Sequence, residues 1–237
     1  MANGYFRFKQ FTIHQERCAM KVGTDGCLLG AWVDLSSSQR ILDVGCGSGL
    51  IAIMMAQRCP SADITGIELD PEAAAQAAEN AKSSPWTERI RIVCENFLTY
   101  TTGEPFDTIV SNPPYFTNSL KCPNDKRSKA RHDDSLPCDK FLSHSYGLLS
   151  ANGSLSVIIP IDQQETWLEE ASRKGYSLKH LTRIHMRKGH APKRVLIEFR
   201  KAAAVNADTD DLNLEDTPGT YSPEATRMLS PFYLKLT

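Results

Sequence analysis

The sequence predicts an α/β fold, a doubly wound and mostly parallel sheet with helices on both faces. Three observations carry this. Short apolar runs alternate with longer helical patterns along most of the chain. A glycine turn in "LDVGCGSGL" (42–50) joins one such run to the start of a helix. An acidic residue, Glu68, closes the next run about 20 residues further on, the spacing of a nucleotide-binding βαβ unit.

Each element has its own local reason. "RILDVG" (40–45) is a short apolar run that breaks at glycine, and "LIAIMMAQR" (50–58) is apolar at helical spacing. "DITGIEL" (63–69) reads as the next strand. "PEAAAQAAENAK" (71–82) is an alanine-rich helix with Pro71 in its first turn, where a missing N–H costs nothing. "RIRIVC" (89–94) and "FDTIVS" (106–111) are β-branched strands, and "CDKFLSHSYGLLS" (138–150) is helical, stopping near Asn152-Gly153. "SLSVIIP" (154–160), "SLKHLTRIHM" (177–186) and "RVLIEFR" (194–200) supply further strand, with the helix "QETWLEEASRKG" (164–175) between the first two. The last two strands, joined by "RKGHAPK", predict an antiparallel hairpin closing one edge of the sheet. Residues 201–220, polar and rich in Ala, Asp and Thr, read as an exposed loop. With no internal repeat and no second core, residues 1–237 form a single domain.

Composition excludes several classes. No apolar run approaches the roughly 20 residues of a membrane span. The start "MANGYFRFKQF" lacks the charged-then-apolar layout of a signal peptide. The seven cysteines include no CxxC pair, which points to reduced thiols of a cytoplasmic protein and not to a disulfide framework or a metal site. The net charge of −1 gives no bulk pull toward nucleic acid. The distribution does. Lys121, Lys126, Arg127, Lys129, Arg131 and His132 stand against Asp125 alone, and a second basic run extends from Lys179 to Arg200 with Glu198 as its one acid. Either run could be a solvated face, but two together make a polyanion partner worth testing.

In the glycine loop, Gly45, Gly47 and Gly49 let a ligand approach main-chain N–H groups at a helix N-terminus. Asp43 precedes the turn, and Glu68 is placed to accept from ribose hydroxyls. The spacing is G-x-G-x-G with an acid before it, whereas dinucleotide enzymes usually show G-x-G-x-x-G. It resembles the S-adenosyl-L-methionine loop of Rossmann-like methyltransferases, in which Asp43 would help hold the methionine part of the cofactor.

"FDTIVSNPPYF" (106–116) runs along a strand and stops at two prolines, which cannot continue a central strand. Beyond the strand stands a rigid corner carrying a carboxamide and an aromatic ring. The Asn112 carboxamide oxygen and the Pro113 carbonyl can accept from the hydrogens of an arylamine, drawing its nitrogen toward tetrahedral geometry for in-line attack on a methyl group. Pro114 stiffens the corner, and Tyr115 or Phe116 offers a face on which an unpaired base can stack.

Asn-Pro-Pro-Tyr is the catalytic motif of methyltransferases acting on adenine N6 and of those acting on protein glutamine. The stretch "RFKQFTIHQERCAMKVGTDGCLLGAWV" (7–33) resembles the opening of bacterial tRNA1(Val) adenine-N6 methyltransferases, which modify the adenine 3′ of the anticodon (position 37). So do "SPWTERIRI" (84–92), "KARH" (129–132) and "YSPEATRMLSPFYL" (221–234). The resemblance implies a class I methyltransferase fold with a seven-stranded sheet, S-adenosyl-L-methionine as cofactor, and the tRNA anticodon stem-loop as partner, with no membrane and no metal. It implies that residues 1–35 form an extension covering the cofactor, with Gly23, Thr24 and Asp25 as neighbours. Asn96 stands where the family commonly has an aspartate that accepts from the cofactor's adenine amine. Lys126, Arg127, Lys129 and Arg131 come after the catalytic corner and are the candidate phosphate contacts, with Phe116 as a further substrate contact.

Three other readings share parts of this pattern. A release-factor glutamine methyltransferase uses the same motif, but usually carries a helical docking domain before the fold, and only about 40 residues precede the glycine loop here. A NAD-dependent dehydrogenase conflicts with the loop spacing. A non-catalytic nucleic-acid-binding module leaves Asn-Pro-Pro-Tyr unexplained.

Overall fold

The computed structural model describes residues 3–113, 136–202 and 206–236. The chain begins with an antiparallel pair, β1 (Tyr5–Arg7) and β2 (Thr12–His14), and then helix α1 (Thr24–Trp32). The alternating body comprises β3 (Arg40–Val44), α2 (Leu50–Arg58), β4 (Asp63–Glu68), α3 (Pro71–Lys82), β5 (Ile90–Cys94) and β6 (Phe106–Ser111). It continues through α4 (Cys138–Leu148), β7 (Leu149–Pro160), α5 (Gln164–Arg173), β8 (Ser177–Arg187) and β9 (Arg194–Arg200). The last elements are β10 (Asp208–Thr217), β11 (Thr220–Tyr221) and α6 (Pro223–Leu229).

Nine of these strands form one sheet in the order β11-β10-β8-β9-β7-β6-β3-β4-β5. Neighbours from β7 to β5 are all parallel, as crossover helices require, and β9 runs antiparallel to both β7 and β8. Alternation along the strands sorts side chains into two cores. Ile41, Ile64, Val110, Ile158 and Leu196 face α1, α2 and α6, whereas Leu42, Val44, Ile67, Ile109 and Val157 face α4 and α5. Trp167 packs on Phe141 in the second core, and Trp32 and Trp86 pack at the rim of the first.

Two expectations about the sheet edge are corrected. Within residues 201–220, Asp208–Thr217 form a strand and not an exposed loop, and the β8–β9 hairpin does not close the edge. β10 lies parallel to β8, and the short β11 turns back on it, so the sheet has nine strands and not seven. The reason is a period-two pattern inside the acidic stretch: Leu212 and Leu214 alternate with polar residues and bury their side chains in the first core. A smaller correction concerns α4, which ends at Leu148. Residues after it already belong to β7, through a bulge that takes the pairing from Phe106↔Leu149 to Thr108↔Ser154.

β10 also changes the electrostatics of the basic hairpin. It places Asp210 against His180 Nε2 (3.1 Å), Asp211 against His185 Nε2 (2.8 Å) and Glu215 against Arg187 Nε (3.9 Å). Lys179 bridges Asp34 (2.8 Å) and the buried Glu198 (2.9 Å), and its hydrogen bond to Asp34 holds that carboxyl well below the usual range.

Both ring nitrogens of His185 face oxygen acceptors, the His190 carbonyl at 2.6 Å and Asp211 at 2.8 Å. Only the imidazolium donates to both, so these two contacts raise the His185 pKa above its ordinary value of 6.5. A raised folded-state value means that this stabilisation is complete below 6.5 and is lost as pH rises through the folded pKa. Asp211→Asn should therefore lower the His185 pKa measured by NMR. Its cost in thermal stability should be larger just below pH 6.5 than above the folded-state value, shrinking as the imidazolium loses its proton; a His185 titration unmoved by the substitution sinks the pairing.

Candidate active site

The carboxyl ends of the parallel strands meet at one level. Val44 at the end of β3 pairs with Ile67 of β4 on one side and Ser111 of β6 on the other. The buried Ser111 hydroxyl donates to the Val44 carbonyl at 2.8 Å. The next residues along, Gly45 and Asn112, are therefore held beside one another. Asn112 is half-buried and Pro113 is buried. Pro114, Tyr115 and Phe116, together with Lys126, Arg127, Lys129 and Arg131, lie outside the described residues.

The glycine loop hangs from β4. Gly45 N–H and Cys46 N–H both donate to the Ile67 carbonyl, at 2.8 and 3.0 Å. Gly45 and Gly47 have φ of 68° and 54°, and a Cβ built at either would meet nothing within 4 Å, so both strained turns border open space where a ligand can approach the backbone. Glu68 organises this edge. Its Oε2 accepts from Gly47 N–H at 2.9 Å, and its Oε1 accepts from Leu69 N–H (2.8 Å) and Asp70 N–H (3.0 Å). The expected ribose acceptor is thus also the anchor of the loop, a second role that strand spacing could not reveal.

Asp43 is fully buried and shares the face of Ile41, toward α2. Its Oδ2 accepts from Ala52 N–H at 3.0 Å, supplying the N-terminal cap that Gly49 cannot. Its Oδ1 is buried without a hydrogen-bond partner among the described residues. Burial pushes the carboxyl up to about 7, with the Ala52 N–H opposing and the Glu68 charge adding to the rise. An orphaned buried carboxylate oxygen behind an open glycine turn is a receptor for a cationic or hydrogen-donating group, and a sulfonium amino acid fits that chemistry.

The segment between β2 and α1 crosses this edge. The buried Cys18 thiol is raised by burial, and the nearby Glu68 and Asp70 carboxylates push the same way. Two residues on, Met20 Sδ receives the Asn112 Nδ2 donor at 3.8 Å. Residues 18–20 therefore span from Glu68 to Asn112. Val22 N–H is fixed by the buried Gln15 side chain at 2.7 Å. Gly23 and Thr24 come next, Thr24 opening α1. Asp25, expected beside the cofactor, accepts from Arg194 Nε at 2.8 Å through its Oδ2, which ties α1 to the start of β9. Asn96 caps the turn at Phe97–Thr99 by accepting from Leu98 N–H at 2.9 Å, which leaves its carboxamide one oxygen lone pair and its NH₂ for recognition.

Sequence reading missed Asn80. Buried on α3, it accepts from His14 N–H (2.9 Å) and donates to the carbonyls of His14 (2.7 Å) and Ser48 (2.9 Å). It thereby pins β2 to the glycine loop. An asparagine in an alanine-rich helix gives no signal of this without the partner segments.

Residues 21–173 match the methyltransferase small domain family. Over its full length the chain is 48% identical to a Phocaeicola vulgatus protein and 45% identical to one from Bacteroides fragilis, each covered completely and each named tRNA1(Val) (adenine(37)-N6)-methyltransferase. The chain belongs to this methyltransferase family. Its members are S-adenosylmethionine-dependent class I methyltransferases. The fold agrees. The crystal structure of "a predicted O-methyltransferase" from Agrobacterium tumefaciens superposes with a TM-score of 0.67 at 20% identity, covering 87% of this chain and 96% of that one. No group of three or more His, Cys, Asp or Glu residues that could hold a metal ion occurs among the described residues, and none of their helices is long and apolar enough to cross a membrane.

Two consequences are measurable. Glu68→Ala removes a charged acceptor of three N–H groups, and with it the carboxylate expected to take the donor's ribose, each such bond being worth about 1.5–3 kcal/mol. The dissociation constant for S-adenosylmethionine, by calorimetry on folded protein, should rise at least about tenfold; an unchanged value places the ribose elsewhere. Asp43 binds a proton in the folded state up to about 7 but only to 3.8 when unfolded, so its contribution to stability falls as pH rises between those values. Asp43→Asn should flatten that part of the ligand-free melting-temperature profile, and a profile identical to wild type refutes the raised pKa.

Proposed function

We propose that this chain transfers a methyl group from S-adenosylmethionine to N6 of the adenine at position 37 of tRNA1(Val), as a cytoplasmic enzyme. The observation that carries the reading is the juxtaposition of Asn112-Pro113 with the glycine loop, locked by the Val44↔Ser111 pairing and the Ser111 hydroxyl bond. The family membership supports the same substrate.

The donor, when bound, supplies an electrophilic methyl on a sulfonium. Gly45, Gly47 and Gly49 shape its cradle, Asp43 faces its cationic end, Glu68 takes the ribose hydroxyls, Asn96 takes the adenine edge, and Gly23 and Thr24 cover it. Across the edge, the Asn112 carboxamide oxygen and the Pro113 carbonyl accept from the exocyclic amine of the target base. This withdraws the nitrogen lone pair from the ring and aims it along the line of displacement. The Met20 contact orients Asn112 by occupying its Nδ2 side, so its oxygen is directed away from Met20. Tyr115 and Phe116 stack the base, Pro114 stiffens the corner, and Lys126, Arg127, Lys129 and Arg131 meet phosphates. An anticodon-loop adenine is already unpaired, so little energy is spent extruding it.

A release-factor glutamine methyltransferase gains no support. The relatives at 48% and 45% identity are named for the adenine reaction, and the described residues before the glycine loop bury α1 in the first core, with Cys27, Leu28 and Leu29 inaccessible to solvent.

Asn112→Ala should abolish methylation while leaving donor affinity within about twofold of wild type, because the side chain touches the acceptor and not the donor. The measurements are nucleoside mass spectrometry of tRNA after reaction and calorimetry with S-adenosylmethionine. A variant that loses donor binding and methylation together removes Asn112 from the acceptor role.

A further inference from the structure

The β8–β9 hairpin turns at the active edge of the sheet. Ser111 pairs with Val157 of β7, and Pro160, three residues on, pairs with Arg194 at the start of β9. At strand geometry this sets the turn about 10 Å along and about 10 Å across the sheet from the catalytic corner. The turn is exposed from Lys188 to Ala191 and at Lys193. It is also fixed. Gly189 takes φ 83°, His190 N–H donates to the Arg187 carbonyl (3.0 Å), Lys193 N–H donates to the Ile184 carbonyl (3.0 Å), and the His190 carbonyl is bonded to His185 (2.6 Å). The Arg194–Asp25 ion pair joins it to the segment covering the donor site.

Charge on this hairpin is unevenly used. Lys179, His180, His185 and Arg187 are matched by Asp34, Glu198 and the acids of β10. Lys188 and Lys193 have no ion pair among the described residues, and they stand at the end of the hairpin nearest the corner.

We propose that the β8–β9 turn is a phosphate-contacting surface, in which Lys188 and Lys193, with His190 between them, hold the RNA backbone flanking the target adenine. The acids of β10 engage His180, His185 and Arg187, whereas the two lysines of the turn are left to meet phosphate. The proposal rests on the tRNA reading above. A rigid loop bearing two unpaired cations loses little entropy on docking, and it adds a sequence-independent grip that positions the substrate without reading bases.

The test uses the full chain with tRNA1(Val) transcript and S-adenosylmethionine. Lys188→Ala with Lys193→Ala should weaken tRNA binding at least fivefold and lower the slope of log affinity against log salt by nearly two units, one per lost phosphate contact. Donor affinity should stay at the wild-type value. The double substitution to Glu should weaken tRNA binding further. Lys82→Ala, an exposed charge at the far end of α3, should leave both RNA measurements unchanged. Unaltered affinity and slope in the Lys188/Lys193 variants overturn the surface, as does an equal loss in the Lys82 variant, which marks a bulk charge effect. A wild-type protein that methylates no tRNA overturns the functional reading itself, and this surface with it.

Discussion

The site depends on three parallel strands ending at the same level. β3 lies between β4 and β6, and the backbone register sets Val44 opposite Ile67 and Ser111. Two sets of hydrogen bonds then carry that alignment into the loops. The Ile67 carbonyl receives both Gly45 and Cys46, and the Ser111 hydroxyl returns to the Val44 carbonyl. A slip of one residue in either pairing would turn Asp43 from α2 to the opposite face and separate Asn112 from the glycine turn. The donor cradle and the acceptor corner are therefore two outputs of one register.

Around this edge the protein uses polar groups to hold backbone. Glu68 binds three N–H groups, Asp43 caps α2, Gln15 holds Val22, and Asn80 joins β2 to the loop at Ser48. Such side chains fix the positions of groups that meet the ligands, which is how a site of modest size acquires geometry before anything binds. Behind the glycine loop, the buried Asp43 Oδ1 has no hydrogen-bond partner among the described residues.

The far edge shows electrostatics serving a different end. β10 is acidic, and its parallel pairing with β8 sets its carboxylates beside the hairpin's histidines and arginine. The near-neutral chain thereby offsets part of the hairpin's charge while Lys188 and Lys193 stay exposed at the turn nearest the catalytic corner, where a local field can steer an RNA.

The sequence alone determined what depends on local pattern. α2, α3, β6 and β9 fall on the ranges read from periodicity, proline and glycine, because amphipathic spacing and turn chemistry act over a few neighbouring residues. That Gly45, Gly47, Glu68, Asn112 and Pro113 gather at one edge of the sheet was legible for the same reason, since motif spacing encodes the strand–turn–helix geometry that presents them. Tertiary structure decided everything that rests on pairing between distant segments. Leu212 and Leu214 make a strand of an acidic stretch only because β8 offers an open edge and the first core offers a place for their side chains. Asp25 is bound to an arginine 169 residues away, and Asn80 to backbone 66 and 32 residues away. That His180, His185 and Arg187 of the basic hairpin meet carboxylates was likewise set by β10, whose register with β8 is a property of the folded sheet and of no single segment.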